Sequence, residues 1–451
     1  MLERLKALFG GKAQTSATSK PAHQPASTTE EDLFINEPDD AVLGLLRYGP
    51  VLDQSRHVVA SRFTLRRSMA ARAARGTHAH AYGELTLASL QHPTTRNLLY
   101  ARPAILQLPE SLLTRPQVLE LANFKPIIEV QPEEACDADW QNTWLTLREA
   151  GFRLALDASN ITSQASIALL ERAAHADMLR INVDDANPAL IKSQAQWLPQ
   201  HAARAQLMAS GIGSEDERLL CEKQGYRWFN GSYLTHRENW GGRDLPPTGL
   251  RILDLLNRLR RDAEVHELAE GLKHDPALPY RLLRYLNSAG SGLTQKINSI
   301  EQAMVILGRQ KLYRWLLMLL YSSGDAPPNA DALLETGLIR ARFMEIVAGP
   351  KVRPDQRDIV FVTGLFSLLD MVLRVPMAKA LSAVQLHDAI PAALIKREGP
   401  LAPWLNLAIA CESSDAELEA AAAQCGVETQ DVLLAWHQAM SWAQLLNQEA
   451  H

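Results

Sequence analysis

Short apolar runs separated by longer amphipathic stretches follow one another from Val58 to Tyr233. The runs Val58 to Leu65, Ala104 to Leu108, Pro126 to Val130, Arg153 to Asp157, Met178 to Asn182, Ala205 to Ser210 and Trp228 to Tyr233 have the length and content of strands. Between them, Trp140 to Ala150 and Ile161 to Ala174 are long enough to be crossover helices. Repeated strand-helix units of this kind predict an α/β half folded as a closed parallel, TIM-type (β/α) barrel. An open doubly wound sheet is the alternative, but no Gly-rich phosphate loop follows any of the strands.

Beyond Tyr233 the period changes. Trp240-Gly241-Gly242-Arg243-Asp244-Leu245-Pro246-Pro247 is a breaker-rich joint. After it, Leu250, Leu253, Leu256 and Leu259 recur at helical spacing. Asp275-Pro276 reads as a capping residue followed by a first-turn proline, opening a helix with Leu278, Leu282, Leu283 and Leu286. Gly308 suits the end of the helix holding Ala303, Met304 and Leu307. The second half is therefore expected to be all-α. At the other end, residues Gly10 to Glu31 are rich in Ser, Thr, Ala, Pro, Gln and Lys and cannot bury enough apolar surface to offset chain entropy. Ahead of them, Leu2, Leu5, Leu8 and Phe9 could share one face of a short docking helix, although a frayed terminus is the plainer reading. The expected organisation is a flexible tail over 1–35, a barrel over 36–240 and a helical domain over 241–451.

Composition narrows the class. The chain of 451 residues is 47% hydrophobic and 22% charged, enough to bury large cores in two domains. A net charge of -5 argues against a surface that coats nucleic acid. Cys136, Cys221, Cys411 and Cys425 are scattered and form no C-x-x-C pair. No apolar run approaches the ~18 residues of a membrane span, and a cytoplasmic setting is expected.

The first half resembles an EAL domain, the barrel that hydrolyses the bacterial second messenger cyclic di-GMP. The resemblance lies in ordered blocks: Ala104-Ile105-Leu106-Gln107, Ile127-Ile128-Glu129-Val130, Leu147 through Asp157, Leu179-Arg180-Ile181-Asn182, Ala209-Ser210-Gly211-Ile212 and Asn230-Gly231-Ser232-Tyr233. It implies a metal and catalytic site at the carboxyl ends of the strands. The residues found there are the wrong ones for that chemistry. The E-x-L signature falls near Ser61 to Leu65, where Arg62 would repel a cation; Gln107 replaces an asparagine; Glu129 and Asp157 match a ligand glutamate and the first aspartate of D-D-F-G. Ala158 stands for the second aspartate, Arg180 and Asn182 for the lysine and aspartate of K-I-D, Ser210 and Gly213 for glutamates, and Asn230 for the glutamine of Q-G-Y. Divalent metals that activate water need several converging oxygen ligands, and two carboxylates do not supply them. Glu129 and Asp157 read instead as a charge cluster with Arg180, whose guanidinium can bridge them in bidentate fashion.

The second half resembles an HDOD domain, a helical module related to the HD metal-dependent phosphohydrolases, through Asp275 to Ala289, Ile297 to Ala303 and Leu307-Gly308. Its counterpart of the His-Asp pair is Ser367-Leu368, within Gly364 to Asp370. The literal His387-Asp388 reads as a loop and helix cap. His78 and His80 could share a strand face but lack a third donor. Asn287-Ser288 reads as a helix terminus. Arg251, Arg258, Arg260, Arg261, Arg281 and Arg284, with Trp315 nearby, could form an anion or nucleic-acid patch, a solvated helix face being the better reading.

The resemblance and its missing ligands imply a signalling protein with no catalytic residue, no metal and no cofactor, working through a protein partner it does not identify. A sensor that binds cyclic di-GMP without cleaving it is the alternative, and residual phosphodiesterase activity a weaker one.

Overall fold

The computed structural model describes residues 46–65, 79–132, 139–159, 161, 167–184, 188–238, 240–273, 278, 282, 299–321, 326–353, 357–413 and 415–450. The sequence readings at the N-terminal tail and its short helix, Cys136, His78, Asp275-Pro276, Arg281, Arg284 and Asn287-Ser288 lie outside the described residues.

Eight strands close a barrel in chain order: β1 (Leu46–Leu52), β2 (Val58–Leu65), β3 (Ala104–Pro109), β4 (Ile127–Gln131), β5 (Arg153–Asp157), β6 (Met178–Asn182), β7 (Gln206–Ser210) and β8 (Trp228–Asn230). Around it lie α1 (Ala79–Gln91), α2 (Pro93–Ala101), α3 (Trp140–Glu149), α4 (Ile167–His175), α5 (Pro188–His201) and α6 (Glu215–Lys223). Strands β2 to β8 pair in parallel, and helices on their outer side force both strand faces to be apolar.

The sequence expectation of an all-parallel barrel needs correction, because β1 runs antiparallel to both β2 and β8. The pattern hid it: Gly49-Pro50 sits in the middle of β1 and reads as a turn. Proline survives there because β1 registers with β8 only at Leu52 and Phe229, so the strand has the loose pairing of an edge. Strand β8 is also shorter than expected. It stops at Asn230, since Gly231 passes so close to the Ile212 backbone that a Cβ would lie 2.1 Å from its carbonyl oxygen. The chain turns off there into a 3₁₀ turn over Ser232–Thr235. His80, read as part of a strand face, lies in helix α1.

The rest is helical: α7 (Pro247–Arg260), α8 (Val265–Lys273), α9 (Ile300–Leu307), α10 (Arg309–Tyr321), α11 (Ala330–Ala348), α12 (Arg357–Phe366), α13 (Ala402–Ala410), α14 (Asp415–Cys425) and α15 (Thr429–Ala450), with shorter turns between. In α7 the leucines at every third position drift around a helix of 3.6 residues per turn. Leu253, Leu256 and Leu259 are therefore buried with Ile252 and Leu255, whereas Leu250 is 45% exposed. Gly308 does end α9, with φ 74°. Asp388 occupies the expected cap position but makes no side-chain cap; His387 Nδ1 accepts the Ala389 N–H at 3.2 Å instead. The arginines of α7 and its C-terminal cap form a solvated face rather than a patch around Trp315, which is buried: Arg258 pairs with Asp254 at 2.8 Å, and the cap residue Arg261 donates to Gln385 at 3.2 Å.

One hydrophobic cluster runs through both halves, from Leu46 and Leu98 on the barrel side to Ala439 and Met440 in α15. Polar contacts are buried within that junction. Glu335 of α11 accepts hydrogen bonds from the Tyr48 hydroxyl on β1 and from Arg102 Nη2 at 2.6 Å, and it is 3% exposed. Burial and the Glu335 charge hold the Tyr48 phenol protonated well above its ordinary range. Nearby, Thr95 of α2 shares a 3.1 Å hydrogen bond with His437 Nε2 of α15.

Two expected outcomes follow from this junction. Glu335→Ala leaves Arg102 buried without its counter-charge and should lower unfolding free energy by about 3–5 kcal/mol, measured by denaturant titration. Burial, with His92 adding to it, depresses His437 from 6.5 to about 4. The unfolded chain therefore takes up this proton first, and the His437 contribution is complete above about pH 6.5 and is lost as pH falls toward about 4. His437→Gln should flatten that part of the stability profile.

Candidate functional site

The barrel interior is layered by the two-residue period of its strands. Val51, Ala60, Ile105, Ile127, Ala155, Met178 and Met208 form one apolar layer. Two residues further along each parallel strand stand Arg62, Gln107, Glu129, Asp157, Arg180 and Ser210, with Asn230 two beyond Trp228. Every pattern-matched strand position except Ala158 and Asn182 thus falls in a single polar layer toward the carboxyl ends.

Glu129 is its centre and has no exposure. Arg62 clamps it through Nε to Oε2 at 2.7 Å and Nη2 to Oε1 at 2.8 Å. Arg180 adds Nε to Oε1 at 3.0 Å. Burial alone would raise the Glu129 pKa; the Arg62 and Arg180 charges and their hydrogen bonds reverse this and hold it at about 2. Arg62 in turn is desolvated, yet Glu129 and the nearby Asp157 raise its pKa. Arg180 bridges Glu129 and Asp157 as expected, and Arg62 adds a second, two-point clamp on Glu129. Arg180 acts as a bridge, reaching Glu129, Asp157 through Nη2, Ser159 Oγ at 3.1 Å and Ser210 Oγ at 3.4 Å.

Ser159 is the residue that pattern reasoning passed over. Its Oγ and N both donate to Asp157 Oδ1, at 2.7 and 3.1 Å, and its Oγ accepts the Asn182 N–H at 2.9 Å. The signal was present as Asp157-x-Ser159, an Asx-turn spacing in which a carboxylate takes the N–H two residues on. Ala158 between them is fully buried, and its N–H donates to the Arg180 carbonyl at 2.8 Å.

The remaining positions are not drawn into this cluster. Gln107 stands opposite Glu129 in the β3–β4 register. Asn182 is exposed, its side-chain Oδ1 lying over Gly211, where a Cβ would come within 2.3 Å. Asn230 Nδ2 donates to the Pro50 carbonyl at 2.9 Å and ties β8 to β1.

In the helical half, Ser367 and Leu368 are both buried. Ser367 Oγ donates to the Gly364 carbonyl at 2.7 Å and accepts from Arg340 Nη1 at 3.0 Å. Arg340 also holds Glu412 with two 2.7 Å hydrogen bonds. Gly364 is required where α12 crosses α11, since a Cβ would lie 2.5 Å from Ala341 Cα. Ser367 and Leu368 therefore sit at a helix crossing braced by an arginine. Among the described residues, no group of three or more His, Cys, Asp or Glu is placed to hold a metal ion. Among them, too, no helix is long and apolar enough to cross a membrane.

Residues 244–385 match the HDOD domain family, and this part of the chain is an HDOD domain. It follows a barrel that resembles EAL domains. The chain is 26% identical over 274 residues to the uncharacterized protein YuxH of Bacillus subtilis, spanning 60% of this chain and 66% of that protein. It is 28% identical over 247 residues to the cyclic di-GMP phosphodiesterase CdgJ of Vibrio cholerae, spanning 54% of this chain and 57% of that one. The matches thus cover less than two thirds of either relative. Among solved structures, the Bacillus subtilis YkuI protein, which has an EAL domain and was solved with cyclic di-GMP and calcium, matches at 16% identity. It covers 62% of this chain and 77% of its own, with a TM-score of 0.35.

Glu129→Gln should cost about 3–5 kcal/mol, because it strips the buried Arg62 of its two-point partner and leaves Arg180 with Asp157 alone. The wild-type contribution is complete above the ordinary carboxylate value of 4.5 and is lost as pH falls toward about 2. Chemical denaturation of wild type and variant across that range should show the two stabilities converging at acid pH.

Proposed function

We propose that the chain is a non-catalytic regulatory protein of cyclic di-GMP-related signalling, in which a degenerate EAL-like barrel supports an HDOD domain that acts by binding a protein partner. The observation that carries this reading is the occupation of Glu129. Both its oxygens are engaged by Arg62 and Arg180, so a cation would have to displace two guanidiniums to reach the one fully buried carboxylate of the mouth. A divalent ion also needs several oxygen ligands at once, and Ala158, Arg180 and Asn182 supply no further carboxylate.

Support for a binding role comes from helix α9 within the HDOD domain, where Val305 is 71% and Ile306 42% exposed. Neighbouring apolar side chains open to solvent favour protein contact. In this reading, residues 1–35 are a tether, 36–240 the supporting barrel and 241–451 the interacting domain, working in the cytoplasm. The name of the Vibrio cholerae relative, a cyclic di-GMP phosphodiesterase, supports cyclic di-GMP as the ligand in a second reading, in which this barrel binds it without cleaving it.

Incubation of the full-length protein with cyclic di-GMP and magnesium or manganese should release no linear dinucleotide on chromatography. Sustained turnover abolished by Glu129→Ala would sink the non-catalytic assignment. Calorimetry separates the two binding readings: saturable heat with cyclic di-GMP at micromolar concentration supports the sensor, and its absence leaves the scaffold.

A further inference from the structure

The segment leaving the barrel meets the helical half around a cavity of ≈ 470 Å³ whose walls include Arg237, Trp240, Asp370, Met377, Ile395 and Arg397. Small-molecule sites commonly enclose about 300–1,000 Å³, mostly apolar, with a few polar groups that orient the ligand. This cavity has that volume, is open to solvent, and has a wall that is about half polar. Trp240 and Leu394 are buried, and Ile395 is 47% exposed, an apolar side chain left open at the wall.

Its wall carries two arginines and two carboxylates, and one group of each sign is incompletely paired. Arg237 Nε donates to Asp370 Oδ2 at 2.6 Å and its Nη2 to the Ser367 carbonyl at 2.8 Å. Asp370 is 3% exposed, and its other oxygen, Oδ1, is buried with no hydrogen-bond partner, so the carboxylate is used by Arg237 and does not reach Arg397. Arg397 Nη1 is likewise buried without a partner. Burial lowers the Arg397 pKa, and repulsion from Arg237 and Arg340 lowers it further, with Asp370 the opposing charge. Arg340 is already neutralised by Glu412. The remaining carboxylate of the wall, Glu238, is exposed at the rim. An incoming anion would supply what Arg397 lacks, and guanidiniums bind carboxylate and phosphate oxygens in matched pairs.

We propose that this cavity binds a small organic anion, its phosphate or carboxylate head against Arg237 and Arg397 and its apolar body over Met377 and Ile395. None of the residues lining this cavity belongs to the polar layer of the barrel mouth. Because Arg237 belongs to the barrel's exit segment and Arg397 to the helical half, the ligand touches both sides of the junction.

Calorimetric titration of the full-length protein with phenyl phosphate, benzoate and inorganic phosphate tests the site. One aromatic anion should bind saturably at micromolar to millimolar concentration, the better of the two identifying the head group, and inorganic phosphate should bind more weakly than phenyl phosphate. Losing a charge-assisted contact in Arg397→Gln should weaken the aromatic anion about tenfold or more. Ile395→Asp, a substitution at an exposed position, should weaken it as well while the unliganded melting temperature stays close to wild type. No saturable binding of either aromatic anion, or binding indifferent to both substitutions, overturns the proposal. Equal affinity for inorganic and phenyl phosphate overturns its apolar half.

Discussion

A carboxylate with no access to water must be balanced where it stands, and the barrel is organised around that requirement at Glu129. Desolvating an ion costs several kcal/mol, and only close, well-directed opposite charge offsets it. Arg62 reaches Glu129 from β2 and Arg180 from β6, so the ion pairs cross the barrel lumen. Arg180 then draws in Asp157, Ser159 and Ser210 from β5, its following turn and β7. Charge pairing across the lumen ties the strand ends together.

The helical half repeats the solution. Arg340 bonds to Ser367 and Glu412 across a tight crossing of α11 and α12. In both halves an arginine is fixed by more than one partner.

Much of the fold was legible because buried parallel strands leave an unmistakable mark. Arg153 to Asp157 and Met178 to Asn182 are strands with the bounds their apolar content suggests. The antiparallel β1 was not legible, since Gly49-Pro50 carries a turn signal that closure of the barrel overrides. The layer holding Arg62, Glu129 and Arg180 could be located through the resemblance, but its wiring could not. Which arginine clamps and which bridges depends on the span between β2, β4 and β6, a distance no one-dimensional pattern contains. Ser159 was lost for a simpler reason: a small hydroxyl beside an aspartate looks like any loop residue until the Asx turn puts it at a crossroads. Likewise, Glu335 and Asp370 look like ordinary helix carboxylates until the two halves meet.

Strand β1 does two jobs with one stretch of backbone. Its central residues are a stave of the barrel, and Arg47 and Tyr48 on the same strand reach Glu412 and Glu335 in the helical half. Asn230 locks the opposite edge of the seam to Pro50. The contacts of α11 thus end on the strand at which the barrel closes. A movement in the helices that loosened Tyr48 would be felt first as a gap between β1 and β8, where Leu52 and Phe229 are the only registered pair.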